Sequence, residues 1–319
     1  MAMSVGISPG RTLRTVAGIV TFHPERSRLI GLISSTASDV SRIIVFANSP
    51  LGAELKNAFS FAAKDTPVTV VSAGENVGLG KAYNRIVELA RLEGAEFILL
   101  FDQDSMPSEG MVRRLESLHD TLKEQGKRPA VVGPTPIKAS GESFKVPHRR
   151  AHGSQAAAIS VDFAISSGSL ISVAAVDQVG GFNEDFFIDA IDIEWCSRAW
   201  GAGWSVWLGD GITMTHRLGK GVIHLPFGLR LTDQPPERLY TYFRNQIVML
   251  RLPYVSAAWK LRFIASLPAR CFIYGVRYRF AAPVITAISR GIIDGLLNRL
   301  GSRPAHTRSH PDPLSSGRV

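Results

Sequence analysis

The chain has 319 residues, of which 45% are hydrophobic and 20% are charged, so it can bury one large core or two smaller ones. Its two cysteines, Cys196 and Cys271, lack CxxC spacing, which excludes a disulfide framework and a cysteine-rich zinc site. Residues 217–319 hold 16 Lys and Arg against 4 Asp and Glu, and the remaining residues hold 20 against 23, so the net charge of +9 belongs to the last third.

In chain order, short apolar runs rich in β-branched residues alternate with segments of helical periodicity. Strands are predicted over 16–22, 43–46, 68–71 and 97–101, and helices over 27–38, 80–92 and 111–124. This alternation predicts an α/β protein with a mostly parallel central sheet flanked by helices. Ligands of such sheets bind beyond the carboxyl ends of the strands. Polar residues stand at these positions, namely Thr21, Asn48, Asn76, Asp102 and Asp104.

The second half of the chain is predicted to be less regular. A strand-like run over 161–172 is interrupted at 166–169, a helix lies within 185–200, and strands are predicted over 204–208 and 213–216. Beyond residue 239 the pattern becomes helical and basic. The tail from residue 306 is rich in Ser, Pro, His and Arg, which is typical of disorder. The first residues lack an apolar signal core, so we expect no export signal and a reducing cytosol.

Two carboxylates follow the predicted strand over 97–101. On an extended backbone, residues two positions apart point the same way, so Asp102 and Asp104 can face one small volume. Paired carboxylates repel each other unless a cation lies near them, and Mg²⁺ or Mn²⁺ prefers such oxygen ligands. The alternative is that both aspartates cap the turn before Pro107.

A glycine-rich segment at 74–82 has an ambiguous role. It fails the Walker A spacing because residue 75 is Glu and neither Ser nor Thr follows Lys81, and it fails GxGxxG because residue 83 is Tyr. We expect it to face a ligand as the N-terminus of a helix. The alternative is an ordinary tight loop before that helix.

A second acidic segment begins the helix predicted within 185–200. Apolar residues at helical spacing predict one buried face, namely Ile188, Ile191, Trp195 and Ala199. Asp189 suits an N-cap, and the helix dipole favours Asp192 in the first turn. The alternative is that these residues and Glu194 form a solvated helix start. His216 alone is either a ligand or a packed or surface histidine.

Taken in order, these motifs resemble family 2 glycosyltransferases of the GT-A fold over residues 16–216, and more weakly as far as 301. The resemblance rests on VTFHP at 20–24, NVGLGKAYN at 76–84, LFDQDS at 100–105, SG at 167–168 and GGFNEDFFIDAIDIEWCSR at 180–198. The DQDS form, the IDIEW segment and YFRN at 242–245 are most similar to the bacterial rhamnosyltransferase branch.

The resemblance implies an inverting transfer of a sugar from a nucleoside-diphosphate donor, with L-rhamnose from dTDP-rhamnose as the expected case. The acceptor would be a lipid-linked glycan or a polysaccharide in cell-surface glycan synthesis. By the same resemblance, Asp192 is the general base, and Asp104, Asp102 and His216 hold Mg²⁺ or Mn²⁺. Ser167, Gly168 and Glu194 would lie on the acceptor side.

The nucleotide-sugar donor would be bound by Thr21, Phe22, Asn48, Asn76, Gly78, Lys81 and Asp102. Two positions depart from the family pattern. Ala47 stands where an aspartate is usual, which puts the base specificity in doubt. Ile191 replaces a common glutamate, but Asp192 keeps the carboxylate that the reaction needs.

The resemblance divides the chain into an N-terminal extension (1–15), a GT-A catalytic domain (16–238), a basic amphipathic helical region (239–301) and a disordered tail (302–319). Within the catalytic domain, the nucleotide-sugar half would cover about 16–106 and the acceptor half about 107–238. Charges interrupt every apolar run of the basic region before it could span a bilayer. We expect its helices to lie on the anionic cytoplasmic face of the cell membrane. The alternative is that they pack against the catalytic domain or a second subunit.

Two other functions are possible for such a chain. A non-catalytic nucleotide-sugar or glycan-binding protein could keep this fold, but the intact Asp102, Asp104 and Asp192 argue against it. Nucleic-acid binding through the basic third is disfavoured because the chain has no recognised nucleic-acid motif and its first two-thirds are acidic.

Overall fold

A computed structural model describes residues 13–137, 154–155, 157–215, 222–224 and 230–301. Most of the expected N-terminal extension, the whole expected tail and His216 lie outside the described residues.

The strands and helices alternate along the first half of the chain. The strands are β1 (Thr15–Thr21), β2 (Arg42–Ala47), β3 (Val68–Ser72), β4 (Phe97–Asp102), β5 (Met106–Pro107), β6 (Pro129–Ile137), β7 (Ser154–Gln155), β8 (Ala158–Ser160), β9 (Leu170–Ser172), β10 (Ser205–Thr215), β11 (Val222–His224) and β12 (Arg230–Thr232). The helices are α1 (Arg26–Thr36), α2 (Ala53–Ala63), α3 (Leu79–Leu92), α4 (Met111–Glu124), α5 (Val173–Val179), α6 (Ile191–Gly201), α7 (Pro236–Met249), α8 (Ala257–Arg277) and α9 (Ala282–Leu296).

One sheet organises the protein, in the strand order β3-β2-β1-β4-β9-β6-β10-β8-β7, with β5 paired to β10. The strands β1 to β4 are parallel to their neighbours among themselves, and β6 is parallel to β10. Strand β9 lies between β4 and β6 and is antiparallel to both. The predicted α/β class with a mostly parallel sheet is confirmed.

Helices cover both faces of the sheet, because alternate residues of each central strand point to opposite sides. On one face α3, α5 and α6 pack against Val16, Ile44 and Leu100. On the other face α1, α2 and α4 pack against Ala17, Ile43 and other residues. The four parallel strands therefore end at one edge, between two layers of helices.

Several element boundaries differ from the predictions. The two strands predicted over 204–208 and 213–216 form a single strand, β10, whose pairing with β6 is shifted between Gly209 and Thr213. The strand-like run over 161–172 is reduced to β9, because Gly168 turns the chain at φ +79° and donates its N–H to the carbonyl of Leu100. Helix α2 lies in a segment for which no element is predicted.

The C-terminal helices are part of the packed fold. Helix α7 is buried along most of its length, and α9 packs closely against it at Gly291 and Gly295. A Cβ atom at Gly291 would lie 2.6 Å from the carbonyl oxygen of Tyr240. The expected boundary between 238 and 239 falls inside α7, so it does not separate two units of structure. No helix among the described residues is both long and apolar enough to cross a membrane.

Candidate active site

A cleft of about 550 Å³ lies at the carboxyl ends of the parallel strands. Thr21 and Phe22 line it at the end of β1, Asn48 lines it after β2, and residues 102–104 line it at the end of β4. Residues 187–193, which precede α6 and form its first turn, complete much of the wall. The structure therefore brings together the strand-end residues that the sequence predicts to meet.

The side chain of Gln103 ties two strand ends together. Its Oε1 accepts the N–H of Phe22 at 2.7 Å, and its Nε2 donates to the Phe22 carbonyl at 3.1 Å. Gln103 stands between the two aspartates that follow the buried strand. Its attachment to the neighbouring strand end leaves Asp102 and Asp104 on the cleft.

Asp102 and Asp104 suit a divalent metal whose remaining coordination positions a substrate would fill. The described residues contain no group of three or more His, Cys, Asp or Glu side chains arranged to hold a metal. Mg²⁺ and Mn²⁺ sites need only one or two carboxylates when substrate phosphates and water fill the remaining positions. The two cleft-lining carboxylates fit that donor set. His216, the third expected ligand, lies outside the described residues.

Asn48 and Asn76 hold the glycine-rich loop in place. The buried Asn48 accepts the N–H of Val77 at 3.1 Å and donates to the Gly78 carbonyl at 3.3 Å, while Asn76 accepts the N–H of Gly78 at 3.0 Å. Both asparagines line the cleft. Because both hydrogen-bond to this loop, they shape the wall expected to bind the nucleotide.

The N-terminus of α3 is covered by protein, which corrects its expected role as an open ligand site. The N–H of Leu79 donates to the carbonyl of Phe187 at 2.6 Å. A Cβ atom at Gly78 would lie 2.5 Å from that same carbonyl oxygen, so glycine permits the close approach. The loop meets the segment before α6, and Gly78 and Leu79 form part of the cleft wall.

Lys81 does not line the cleft, whereas Tyr83 does. Lys81 lies on the exposed face of α3 and is not among the residues that line the cleft. Tyr83 is buried and lines the cleft, and burial raises the pKa of its hydroxyl well above the usual value, with the charges of Asp102 and Asp192 adding to the effect. Tyr83 is therefore a neutral hydroxyl close to both acidic groups. It sits within the quoted 76–84 motif but is not among the predicted site residues.

The three residues expected on the acceptor side are placed differently. Ser167 lines the cleft, and its Oγ accepts the N–H of Asp102 at 3.1 Å. Gly168 is buried behind it, where a Cβ atom would lie 2.6 Å from the Sδ of Met214. Glu194 is buried away from the cleft and paired with Arg198 at 2.9 Å. Of the three, the geometry keeps only Ser167 as a residue that a bound molecule would touch.

Asp192 is the carboxylate within α6 that lines the cleft. It is the second residue of α6, and its Oδ1 accepts the N–H of Ile193 at 2.9 Å. Burial, with the negative charges of Asp102 and Asp189 adding to its effect and backbone hydrogen bonds opposing it, raises the pKa of Asp192 to about 6. A carboxylate with this pKa is ionised at neutral pH and is basic enough to accept a proton.

Asp189 is not the N-cap of α6, which corrects that prediction. The N-cap position belongs to Ala190 in a left-handed conformation, and no side chain caps the helix. The carboxylate of Asp189 instead forms an ion pair with Arg238 and accepts a hydrogen bond from Thr241 at 2.9 Å. Both partners belong to α7.

Helix α7 supplies lining residues that the sequence interpretation does not select. Arg238, Tyr242 and Gln246 follow one another at four-residue spacing and all line the cleft. Polar groups at i, i+4 and i+8 lie on one face of a helix, so this spacing is the signal that points to them. The interpretation of this region as a basic membrane helix hides that pattern.

The chain matches known proteins in sequence. The model of the family described as Glycosyl transferase family 2 matches residues 19–180. A curated relative, the dTDP-rhamnosyl transferase RfbF of Shigella flexneri, is 28% identical over 259 residues, which cover 77% of this chain and 83% of the relative.

Solved structures share the fold at low sequence identity. TarS residues 1–349 from S. aureus, in complex with UDP-GlcNAc, aligns with a TM-score of 0.57 and 16% identity over 89% of this chain and 80% of that one. The mannosyltransferase PcManGT from Pyrobaculum calidifontis, in complex with GDP-Man and Mn²⁺, aligns with a TM-score of 0.52 and 12% identity. The alignment covers 94% of this chain and 91% of that one. GalNAc-T7 with UDP, GalNAc and Mn²⁺ aligns with a TM-score of 0.54 and 14% identity over 79% of this chain. The aligned part is about half (54%) of that protein. These similarities establish the GT-A fold expected from the sequence.

Proposed function

This chain belongs to glycosyl transferase family 2, and we propose that it is an inverting, metal-dependent glycosyltransferase whose general base is Asp192. The observation that carries the proposal is the placement of Asp192, with a pKa of about 6, in the same cleft as the paired carboxylates of Asp102 and Asp104. One base and one anion-stabilising site are the two requirements of a single-displacement sugar transfer.

Asp104 and Asp102 would hold the metal against the donor diphosphate. Mg²⁺ or Mn²⁺ bound there would stabilise the negative charge that grows on the departing diphosphate. Asp104 is proposed as the direct ligand, and Asp102 as a ligand or a contact to the ribose. The buried hydroxyl of Tyr83 would donate a hydrogen bond in the same region, since it remains protonated.

Asp192 would accept the proton of the acceptor hydroxyl. As the acceptor oxygen forms its bond to the anomeric carbon, the bond from that carbon to the diphosphate oxygen breaks, and the proton passes to the carboxylate. Attack and departure on opposite sides of the carbon invert its configuration. A carboxylate in this role contributes roughly 10²–10⁴ to the rate.

The donor's nucleotide would lie against the ends of β1 and β2 and the glycine-rich loop. Thr21, Phe22, Asn48, Asn76 and Gly78 form that wall. We take dTDP-rhamnose as the donor on the strength of the relative named as a dTDP-rhamnosyl transferase. The acceptor is proposed to be a lipid-linked or polysaccharide glycan of the cell surface.

The outward face of α8 supports attachment to a membrane surface. Leu261, Ile264, Phe272 and Val276 recur at helical spacing on the face opposite the buried Phe263 and Tyr274, and Leu261 and Phe272 are 69% and 63% exposed. We call Leu261, Ile264, Phe272 and Val276 the α8 stripe. Arg262 on α8 and Arg279 just after that helix are exposed cations. Apolar side chains flanked by cations suit the interface of an anionic bilayer, and this supports peripheral attachment to the cytoplasmic face.

A donor screen tests the proposed activity. dTDP-, UDP- and GDP-sugars are offered with Mn²⁺ or Mg²⁺, and release of nucleoside diphosphate is measured with and without a chelator. The proposal expects one donor to be turned over well above the others, and only with metal. Tight donor binding without any release would instead favour a non-catalytic nucleotide-sugar-binding protein.

A further inference from the structure

Two buried neighbours on α7 hold the segment that leads into α6. Arg244 and Asn245 have no exposed surface. The Arg244 guanidinium donates to the carbonyls of Asp185 at 3.0 Å and Phe186 at 3.1 Å. The two N–H hydrogens of the Asn245 amide are shared among the carbonyls of Phe186 at 2.9 Å, Ile188 at 2.7 Å and Asp189 at 2.9 Å. We call Arg244 and Asn245 the α7 clamp.

The two clamp residues also fix each other. The Nε of Arg244 donates to the Oδ1 of Asn245 at 2.9 Å, which turns the amide N–H groups of Asn245 toward the segment. A second guanidinium nitrogen of Arg244 donates to the carbonyl of Gly301 at 2.6 Å, beyond the end of α9. The clamp is therefore anchored from behind by the C-terminal helices.

The clamped segment has a conformation that needs such support. Phe187, Asp189 and Ala190 have φ of +62°, +67° and +60°, in the left-handed region that non-glycine residues disfavour. Such a residue persists only where the surrounding structure holds it. With the N–H of Leu79 on the Phe187 carbonyl, every carbonyl from 185 to 189 accepts a hydrogen bond from outside the segment.

The position of Asp192 depends on this segment, because only two residues separate it from the last clamped carbonyl, at Asp189. We propose that Asn245, supported by Arg244, is a positioning residue that holds the Asp192 carboxylate at the reacting centre. This inference rests on the proposed role of Asp192 as general base. Neither clamp residue lines the cleft, so the effect acts through the backbone.

The loss of Asn245 should reduce turnover more than donor binding. Displacing a catalytic group by about 1 Å can cost roughly a hundredfold in rate. Asn245→Ala removes all three amide contacts, and Asn245→Ser keeps one short donor as a milder change. Turnover should fall at least about tenfold in the alanine variant and less in the serine variant.

A double-mutant cycle with Asp192→Asn tests the proposal. Nucleoside diphosphate release is measured for wild type, Asn245→Ala, Asp192→Asn and the double variant, each corrected for its folded fraction by circular dichroism. If Asn245 acts through Asp192, Asn245→Ala costs at least tenfold in the wild-type background and less than about twofold in the Asp192→Asn background. The corresponding cycle with Asn245→Ser should show a smaller difference in turnover loss between the two backgrounds, with the same sign.

A matched control separates positioning from general loss of stability. Thr15→Val removes a buried hydrogen bond of 2.6 Å to Glu116 at the opposite end of β1, and it should lower the melting temperature but keep turnover. Equal losses from Asn245→Ala in both backgrounds, or no loss in either, would overturn the positioning role. Near-normal turnover of Asp192→Asn alone would instead overturn the proposed general base.

Discussion

The carboxylate of Asp189 is ion-paired with the guanidinium of Arg238, three residues before the proposed base and on the wall of the same cleft. The charge of Asp189 is one of the influences that raise the pKa of Asp192. The ion pair therefore links the charge state of α7 to the basicity of the α6 start.

Substitutions of this ion pair should move the acidic limb of the pH–rate profile in opposite directions. Asp189→Asn removes a negative charge near Asp192, so the pKa of Asp192 falls and the limb moves to lower pH. Arg238→Gln leaves Asp189 unneutralised, so the pKa rises and the limb moves to higher pH. Rates of nucleoside diphosphate release between pH 4.5 and 8.5 define the acidic limb of each variant. Movement of both variants in the same direction would contradict the electrostatic link.

Asp192→Asn should abolish most turnover and leave the fold and donor binding intact. The substitution is nearly isosteric, and the amide oxygen can still accept the N–H of Ile193. We expect turnover to fall at least about a hundredfold with little change in donor affinity by calorimetry. Near-normal turnover would transfer the role of base to another group.

The same variant should be more stable than wild type at neutral pH. The folded pKa of Asp192, about 6, lies above its unfolded value, so wild-type stability falls as pH rises from about 4 to about 6. Asp192→Asn lacks this penalty, which amounts to at most about 3 kcal/mol. In denaturant unfolding without metal or donor, the variant should have the larger free energy of unfolding at pH 7 and the same value as wild type near pH 3.5.

Asp104→Ala should lose the metal-dependent part of donor binding. Calorimetric titration of the donor with Mn²⁺ should show affinity reduced to the level that wild type gives with a chelator. Binding of donor without metal should be similar in both proteins, and this serves as the internal control. A variant that binds donor and Mn²⁺ like wild type would remove Asp104 from the metal site.

The α8 stripe should determine membrane attachment. Replacing Leu261, Ile264 and Phe272 by serine should reduce co-flotation with anionic liposomes at least about tenfold, since the apolar contribution is lost. High salt should weaken wild-type flotation by screening the cations. Phe61 and Leu92 are 85% and 78% exposed elsewhere on the protein, and their replacement by serine is the matched control. Equal flotation of the stripe variant and the control would contradict the assignment.

The sequence predicts the sheet and the acidic cleft because both depend on short-range patterns. Apolar runs mark β1 and β4, and the polar residues that follow them must meet where parallel strands end. Thr21, Asp102 and Asp104 occupy the cleft for that reason, whereas Ser167 is expected there only from the family resemblance. Glu194 stands two residues after Asp192 on α6, and two helical steps rotate a side chain by about 200°, so the side chain of Glu194 points away from the cleft.

The α7 clamp lies in the YFRN motif at 242–245, but no short-range pattern predicts its role, since its contacts join residues far apart in the chain. Arg244 lies 58 positions from Phe186. Composition counts it as one more cation of the basic third, yet it is fully buried. Charge counts cannot separate such an arginine from the exposed Arg262 on α8, because only packing distinguishes them.

The close packing of α9 on α7 sets the boundaries for recombining this enzyme with its relatives. A chimaera joined at residue 239 would take Arg244 and Asn245 from one parent and the segment that they hold from the other. Grafts intended to alter the proposed membrane attachment should therefore exchange only the outward residues of α8. Gly301 donates its N–H to the Asp185 carbonyl at 3.0 Å, so a chimaera should take Gly301 and α6 from the same parent.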